Sequence, residues 1–144
     1  MTAPAPTPQQ YVEQQCALHG KGAVATTCIR LIRGDDVAPN EVIGLVGAPA
    51  EKFFDGRPHE DVYWLRVWGA RGLLWSWDPR ATESIRAGLH DEHWRVREMS
   101  AKVVARHLLD DLFDDVSRCR DDEVPRVRAA ASRAVARITS AERP

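Results

Sequence analysis

The amino-acid sequence predicts an all-α protein of the α-solenoid type, a stack of antiparallel helix pairs. From Gln9 onward the apolar residues follow helical spacing, and no stretch alternates convincingly with a period of two. Prolines and glycines stand where helices would begin and end. A residue pattern also recurs at intervals of about 30 positions, which is typical of stacked helix pairs. The chain of 144 residues has the length of one domain.

The N-terminal elements are predicted from composition and from glycine positions. Residues 1–8 alternate proline with small residues, so they cannot bury apolar surface and are expected to form a disordered tail. The first two helices are expected over 9–19 and 23–33. Glycines would separate and end these helices, at positions Gly20, Gly22 and Gly34.

Later helix starts are marked by proline, because the first helical position needs no N–H donor. The clearest case is Asp78-Pro79, with Asp78 as the N-cap. The other prolines of this kind are Pro39, Pro49 and Pro125, and Gly56 and Gly88 stand near expected helix ends. The helices are expected to form one domain over 9–140, followed by a short tail over 141–144.

The repeat is strongest in the second half of the chain. The segment 91–97 aligns with 122–128, and the match continues into the helices that follow. A looser copy places 65–68 over 94–97, a slightly shorter interval at which Trp68 stands where an arginine is expected. The predicted repeats cover 61–78, 79–108 and 109–139. Because one helix pair cannot bury its apolar face alone, the second helices are expected to build a continuous core.

The pattern Asp-x-x-(Trp/Pro)-Arg-Val-Arg, followed by an Ala-rich helix, resembles the HEAT repeat in the short form of phycobilisome-lyase-type HEAT-like repeats. The resemblance is sharp over 79–138 and weaker over 61–77. It implies a curved stack whose concave face is lined by the second helix of each pair, and a binding surface more often than catalysis. It also implies a structural ladder between repeats, formed by Asp91, Arg97, Asp122 and Arg128.

Composition and charge exclude several classes of function. Lys and Arg number 20 and Asp and Glu number 21, so no bulk charge points to nucleic acid or to a membrane surface. No apolar run reaches the ~20 residues of a membrane-spanning helix, and the N-terminus lacks the regions of a signal peptide. Three cysteines without a Cys-x-x-Cys pair argue against a disulfide framework. We therefore expect a cytoplasmic protein, and the Arg-rich, Ala-rich composition suits a GC-rich bacterial genome.

Candidates for metal binding and catalysis are weak. One partial set of metal ligands consists of Cys16, His19 and Cys28. It lacks a fourth ligand, and a cysteine on an apolar helix face is more often a buried packing residue. His90 and His93 flank a turn aspartate without further ligands. The acidic run over 110–115 lacks the spacing of an EF-hand and has that of a solvated helix face. No catalytic motif occurs, so we predict no metal, no cofactor and no enzymatic activity.

The densest aromatic cluster lies between positions 63 and 77 and holds four of the five tryptophans. Helical spacing places Trp64, Trp68, Arg71 and Trp75 on one stripe, with Arg71 between two indoles. One interpretation is a groove for a flat ligand, in which Arg71 stacks on the rings. The alternative is a set of core aromatics, because tryptophan buries a large area. Close approach of a neighbouring helix is expected at two glycines of this stretch, Gly69 and Gly72.

Arginines recur at the start of the second helices. The ladder that the resemblance implies would occupy Arg97 and Arg128, which leaves Arg95 and Arg126 freer to contact a partner. Together with the acidic run they predict a surface that is acidic on first helices and basic on second ones. The predicted partner-binding residues are Trp64, Trp68, Arg71, Trp94, Arg95 and Arg126.

The predicted function is a non-catalytic scaffold module that binds an unidentified protein partner through its concave face. The rival hypothesis is nucleic-acid recognition, since the resemblance extends to DNA glycosylases for alkylated bases; it would give roles to Trp64, Trp68, Arg71 and Asp78. The short chain and the lack of a basic excess count against that hypothesis. A lyase or chaperone for a tetrapyrrole protein is a third hypothesis that rests on the repeat type alone.

Overall fold

Eight α-helices make up most of residues 3–142. The computed structural model describes residues 3–142, and no strand occurs among them, so the all-α prediction is confirmed. The helices are α1 (Pro8–His19), α2 (Lys21–Arg33), α3 (Pro39–Val46), α4 (Tyr63–Gly72), α5 (Thr82–Leu89), α6 (Trp94–His107), α7 (Phe113–Arg118) and α8 (Pro125–Ala141). Short 3-10 segments cover Ala48–Phe54, Pro79–Ala81, Asp110–Leu112 and Cys119–Asp121.

The first helix begins inside the segment predicted as a tail. Thr7 forms a capping box with Gln10: its hydroxyl accepts from the Gln10 N–H at 3.2 Å, and its own N–H donates to the Gln10 side chain at 2.9 Å. Pro8 then takes the first position of α1. Residues 1–2 and 143–144 of the two predicted tails lie outside the described residues, and α8 continues to Ala141.

Most local signals of the sequence act at the predicted places. Gly34 ends α2 in the left-handed conformation, with φ of 77°. The side chain of Asp78 accepts from the Arg80 N–H at 2.9 Å and so caps the 3-10 segment that follows. The predicted prolines lie in the first turns of their segments, at Pro39, Pro49, Pro79 and Pro125. Gly22 does not mark a helix boundary, because α2 already begins at Lys21.

Helices α4, α6 and α8 begin at a constant spacing along the chain, called here the repeat interval. The first residues of α4, α6 and α8 are Tyr63, Trp94 and Pro125, and the step from the first to the second equals the step from the second to the third. The shorter interval inferred for the upstream copy is therefore wrong. With the repeat interval, Arg66 is the equivalent of Arg97, and Trp68 does not stand in the place of the arginine. The aromatic pair at 63–64, which replaces Pro-Arg or Trp-Arg, hid this match in the sequence.

The even-numbered helices pack side by side in chain order. α2 lies against α4, α4 against α6, and α6 against α8, while α1, α5 and α7 pack on α2, α6 and α8 respectively. The core between these layers is apolar and closed to solvent. Its largest fully buried side chains include Leu73, Ile85, Leu89, Val96, Leu112, Val116, Val127 and Ile138. Burial of one face of each helix leaves the other face of α6 and α8 for exposed charged residues.

Two glycines let α2 and α4 approach closely, as the sequence predicts. A Cβ atom at Gly69 would lie 2.8 Å from the carbonyl oxygen of Cys28, and one at Gly72 would lie 2.6 Å from the Cys28 sulfur. Cys28 is fully buried there, and burial raises the pKa of its thiol to about 12. The cysteine is therefore a packing residue of the α2–α4 contact.

We expect Gly69→Ala to lower the free energy of unfolding by about 1–3 kcal/mol, because the added methyl group meets backbone that must move. Gly22→Ala is the matched control, since that helical glycine has only the Arg80 guanidinium within 4 Å of an added Cβ. Its stability should be unchanged or slightly raised. Urea unfolding followed by circular dichroism measures both, and equal stabilities of the two variants would contradict the close contact.

Arginine–aspartate pairs tie successive repeats together. The Nε and Nη2 atoms of Arg66 donate to the two carboxylate oxygens of Asp91 at 2.8 and 3.1 Å. Arg97 donates to Asp122 in the same way, also at 2.8 and 3.1 Å. Arg66 of α4 therefore pairs with the aspartate that precedes α6, and Arg97 of α6 with the aspartate that precedes α8. Such bidentate pairs fix both distance and orientation.

Further hydrogen bonds join these pairs to the turns. Asp91 and Asp122 accept from the backbone N–H two residues later, at 2.8 and 2.9 Å. The Nη1 atom of Arg97 also donates to the backbone carbonyl oxygen of Asp91 at 2.9 Å. The Nη1 atom of Arg128 donates to the backbone carbonyl oxygen of Asp122 at 2.7 Å. Arg128 differs from Arg97 in that it bonds only to a carbonyl group of the described residues. Of the predicted ladder, only Arg97 and Asp122 pair through their side chains; the Asp91 carboxylate pairs with Arg66, which the prediction omitted, and Arg128 contacts a backbone carbonyl.

We expect Arg97→Leu to cost about 3 kcal/mol at pH 7, because Asp122 would keep a mostly buried charge without its partner. Burial opposes the ionised form of Asp122, but the bonds from Arg97 and the Val124 N–H outweigh burial and lower its pKa. The pair therefore contributes stability above about pH 4 that is lost as the pH falls through the lowered pKa.

The loss in Arg97→Leu should accordingly be larger at pH 7 than near pH 3, as measured by urea unfolding. Arg128→Leu is the control at the equivalent position of α8 and should cost less than Arg97→Leu, since the Arg128 side chain is exposed and pairs with no carboxylate of residues 3–142. A cost that is independent of pH would contradict the role of the carboxylate.

Candidate binding surface

Charge divides between the two sets of helices, as the sequence predicts. Within α2, α4, α6 and α8 the only carboxylate is Glu98, whereas each of these helices carries lysine or arginine. The exposed aspartates Asp110, Asp111 and Asp114 lie instead at the start of α7 and just before it. The even-numbered helices thus create a local positive field that the formal net charge of −1 conceals.

Arg95 forms the centre of a cluster of aromatic rings at the N-terminal ends of α4 and α6. Its guanidinium carbon lies 4.6 Å from the ring centre of Trp94, 5.1 Å from that of Trp64 and 5.9 Å from that of Tyr63. Its Nη1 atom donates to the Tyr63 hydroxyl at 3.2 Å. No carboxylate among residues 3–142 lies within ion-pair distance of it. Arg95 is therefore held by ring faces and keeps its charge unneutralised.

Arg126 continues this cluster onto α8. Its guanidinium lies 5.2 Å from the ring centre of Trp94, and its Nε atom donates to Glu98 at 2.9 Å. Glu98 is buried, with 7% exposure, whereas the Arg126 side chain is 64% exposed. The arginine thus bridges α6 and α8 while most of its surface faces solvent.

We name this group the arginine–aromatic edge; it consists of Tyr63, Trp64, His93, Trp94, Arg95 and Arg126. Trp64, Arg95 and Arg126 are equivalent positions, separated by the repeat interval, and the stacking of α4, α6 and α8 brings them together. The sequence predicted four members but missed Tyr63, His93 and the buried partner Glu98. The repeat interval, applied to the upstream copy, is the signal that points to Tyr63.

Trp64 and Trp68 play different parts. Trp68 is 8% exposed and packs edge-on against Phe53, with ring centres 5.7 Å apart. Trp64 is half-buried and stacks on Trp68 at 6.2 Å. The two indoles line a shallow cleft of about 440 Å³ with Pro49 and Lys52. Trp68 therefore belongs mainly to the core, and Trp64 presents the accessible ring.

The predicted stacking of Arg71 between two indoles does not occur. α4 ends at Gly72, so Trp75 lies in the following turn rather than on the same helical stripe. Arg71 is half-buried beside Trp68 and Pro49 in an adjoining cleft of about 270 Å³, and burial lowers the pKa of its guanidinium. Within residues 3–142 it stacks on no ring face. Arg95, not Arg71, supplies the cation over the aromatic rings.

His93 connects the edge to the start of α6. Its ring lies parallel to that of Tyr63, with centres 3.6 Å apart, and its Nδ1 atom accepts from the Arg95 N–H at 3.2 Å. An accepting Nδ1 atom requires a neutral imidazole. Burial and the nearby charge of Arg95 lower the pKa of His93, which favours this neutral form.

We expect Arg95→Ala to raise the pKa of His93 toward its ordinary value of about 6.5, because one positive charge beside the ring is removed. NMR titration of the imidazole Hε1 resonances measures this shift. His107 is the internal control, because burial lowers its pKa too and it lies at the opposite end of α6 from Arg95. Its ring stacks on Trp77. A His93 pKa that stays unchanged in Arg95→Ala would contradict the arrangement of the edge.

Two acidic residues have structural roles. Asp115, predicted on a solvated face, is buried and accepts hydrogen bonds from His90 at 2.8 Å and from Arg86. These bonds, first of all that from His90, lower the pKa of Asp115. Asp78 caps its turn and pairs with Arg80 at 3.2 Å. Neither carboxylate lines the clefts beside Trp64, Trp68 and Arg71.

Other candidate chemistry is not assembled in the described part of the chain. Residues 3–142 contain no group of three or more His, Cys, Asp or Glu side chains placed to hold a metal ion. Cys28 and Cys119 are buried free thiols, and Cys16 is partly buried. None of the helices over 3–142 is both long and apolar enough to cross a bilayer.

In comparisons with known proteins, no family model matches the chain, and neither a curated protein nor a solved structure shows significant similarity to it. The function is therefore argued from the surface itself.

Proposed function

We propose that this chain is a non-catalytic HEAT-like α-solenoid that binds a protein partner through the exposed face of α4, α6 and α8. The side-by-side order of the even-numbered helices and the repeated Arg–Asp pairs support the solenoid arrangement. The single observation that carries the binding function is Arg95, an unneutralised cation held among Trp64, Trp94 and Tyr63.

Such a group suits a binding surface for three physical reasons. Aromatic side chains and arginine are the residues that most often dominate the energy of protein interfaces. The rings already fix the arginine, so less side-chain entropy is lost when a partner binds. The positive field of the even-numbered helices steers acidic partners toward this face and raises their association rate.

The proposal places the protein in the cytoplasm, where thiols stay reduced, and the buried free thiols of Cys28 and Cys119 agree with that compartment.

Affinity capture from a lysate of the source organism tests the proposal, with and without nuclease, followed by titration of the captured protein. Arg95→Glu combined with Arg126→Glu should weaken binding of that protein by about tenfold or more, because two attractive charges become repulsive. Arg118→Glu with Arg120→Glu is the matched control, since it changes the same charge on α7 and the turn after it, where both residues are exposed. Its affinity should stay within about twofold. Equal binding by both double variants would contradict the proposal.

A second candidate function is nucleic-acid binding, which the concentration of cations on the even-numbered helices favours. Phosphate-driven binding would fall steeply between about 50 and 200 mM salt and would be lost with nuclease. A glycosylase role is less well supported, because the carboxylate of Asp78 is engaged as a cap and by Arg80. Nucleic acid in the eluate, with no protein persisting after nuclease, would replace the protein-binding proposal with this one.

A further inference from the structure

A second basic feature lies between α6 and α8, apart from the arginine–aromatic edge. It is a cleft of about 310 Å³ whose walls carry four cations: Lys102, Arg106, Arg133 and Arg137. We propose that this cleft, called here the basic cleft, is the docking site for an acidic amphipathic helix of the protein partner. This inference rests on the proposed protein-binding function and names the chemistry of the bound segment.

Three of the four cations of the basic cleft lack a counter-charge among residues 3–142, and the fourth, Lys102, shares one. Lys102 has only the buried Glu98, at 4.0 Å, and Glu98 already accepts from Arg126 at 2.9 Å. Arg106, Arg133 and Arg137 are exposed, and no carboxylate of residues 3–142 lies within 4.0 Å of their side chains. Four like charges around one cleft repel each other and are best compensated by an anionic ligand.

The spacing of the cations matches carboxylates on a helix. Lys102 and Arg106 are four residues apart on α6, as are Arg133 and Arg137 on α8, so the two charges of each pair are separated by about 6 Å along the helix. Lys102 is equivalent to Arg133, and Arg106 to Arg137, by the repeat interval. Packed helices lie about 8–10 Å apart. Glutamates at positions i and i+4 of a helix that runs along the cleft have the same rise of about 6 Å.

The floor of the cleft is apolar and held in place. It is formed by Ala105 and Ala130 of the two helices and by Leu74 and Trp75 of the turn after α4. His107, the last residue of α6, bonds to the carbonyl oxygen of Leu73 at 2.8 Å and so fixes this turn against α6.

A mainly aliphatic floor suits a leucine side chain between the carboxylates, the arrangement of an amphipathic helix in a groove. A phosphodiester backbone would match the charges but would bring no aliphatic group to this floor. It would instead need aromatic rings for its bases, of which the cleft offers one, Trp75.

Fluorescence anisotropy with the full chain tests the proposal. The probe is a fluorescein-labelled peptide of about 20 residues, with glutamates at i and i+4 and leucines on the adjacent face. A second peptide has glutamine for glutamate, and labelled oligothymidine of about 20 nucleotides is the nucleic-acid probe. Arg133→Gln with Arg137→Gln alters the cleft, and Arg118→Gln with Arg120→Gln is the control with the same charge change. Circular dichroism verifies that both variants fold.

The acidic peptide should bind saturably, and the glutamine peptide should bind about tenfold more weakly. The affinity of the cleft variant for the acidic peptide should fall about tenfold, whereas the affinity of the control variant should stay within about twofold of the unchanged protein. Tighter binding of oligothymidine than of the acidic peptide overturns the proposal, as does equal loss in the two variants or no binding of the peptide. The proposed function has its own separate readout. If the captured protein depends on Arg95 and Arg126 but not on Arg133 and Arg137, the basic cleft fails as the docking site and the proposed function stands.

Discussion

The bidentate bond between an arginine of one even-numbered helix and the aspartate that precedes the next is the interaction on which the packing of α4, α6 and α8 depends. Arg66 with Asp91 and Arg97 with Asp122 form it with the same two distances. Because each pair links one repeat to the next, it sets the register at which α4, α6 and α8 stack. Residues separated by the repeat interval then become neighbours in space. Both the arginine–aromatic edge and the basic cleft consist largely of such neighbours.

Register explains how a chain of nearly balanced charge carries local clusters of cations. Because α4, α6 and α8 pack side by side, a cation that recurs at the repeat interval produces a row of cations. Lys102 and Arg133 form one such row and Arg106 and Arg137 another, while the buried Glu98 lies near Lys102 and Arg126 only. The exposed aspartates Asp110, Asp111 and Asp114 lie on α7 and the segment before it. Partner steering depends on this local field, so the formal charge of −1 is a poor guide to it.

The aromatic residues have two roles: some pack in the core, and others hold a cation. Trp68 packs against Phe53 near the core, whereas Trp64 and Trp94 remain half-buried and hold Arg95 between them. The close contact at Gly69 brings α4 onto α2 and so supports the helix that carries Trp64. A rigid platform of this kind keeps the cation in position without a carboxylate partner, which would neutralise it.

The sequence by itself determined the all-α class, most helix ends and the repeat over 91–128, because proline, glycine and aspartate act on the adjacent backbone and apolar spacing acts within a few turns. It also identified Gly69 as a close approach and Arg95 and Arg126 as members of one group. Tertiary structure decided that α4 stops at Gly72, that Arg95 rather than Arg71 lies over the rings, and that Asp115 is buried. These outcomes depend on contacts between residues far apart in the chain, such as Arg66 with Asp91 and Arg95 with Tyr63, which no local pattern encodes.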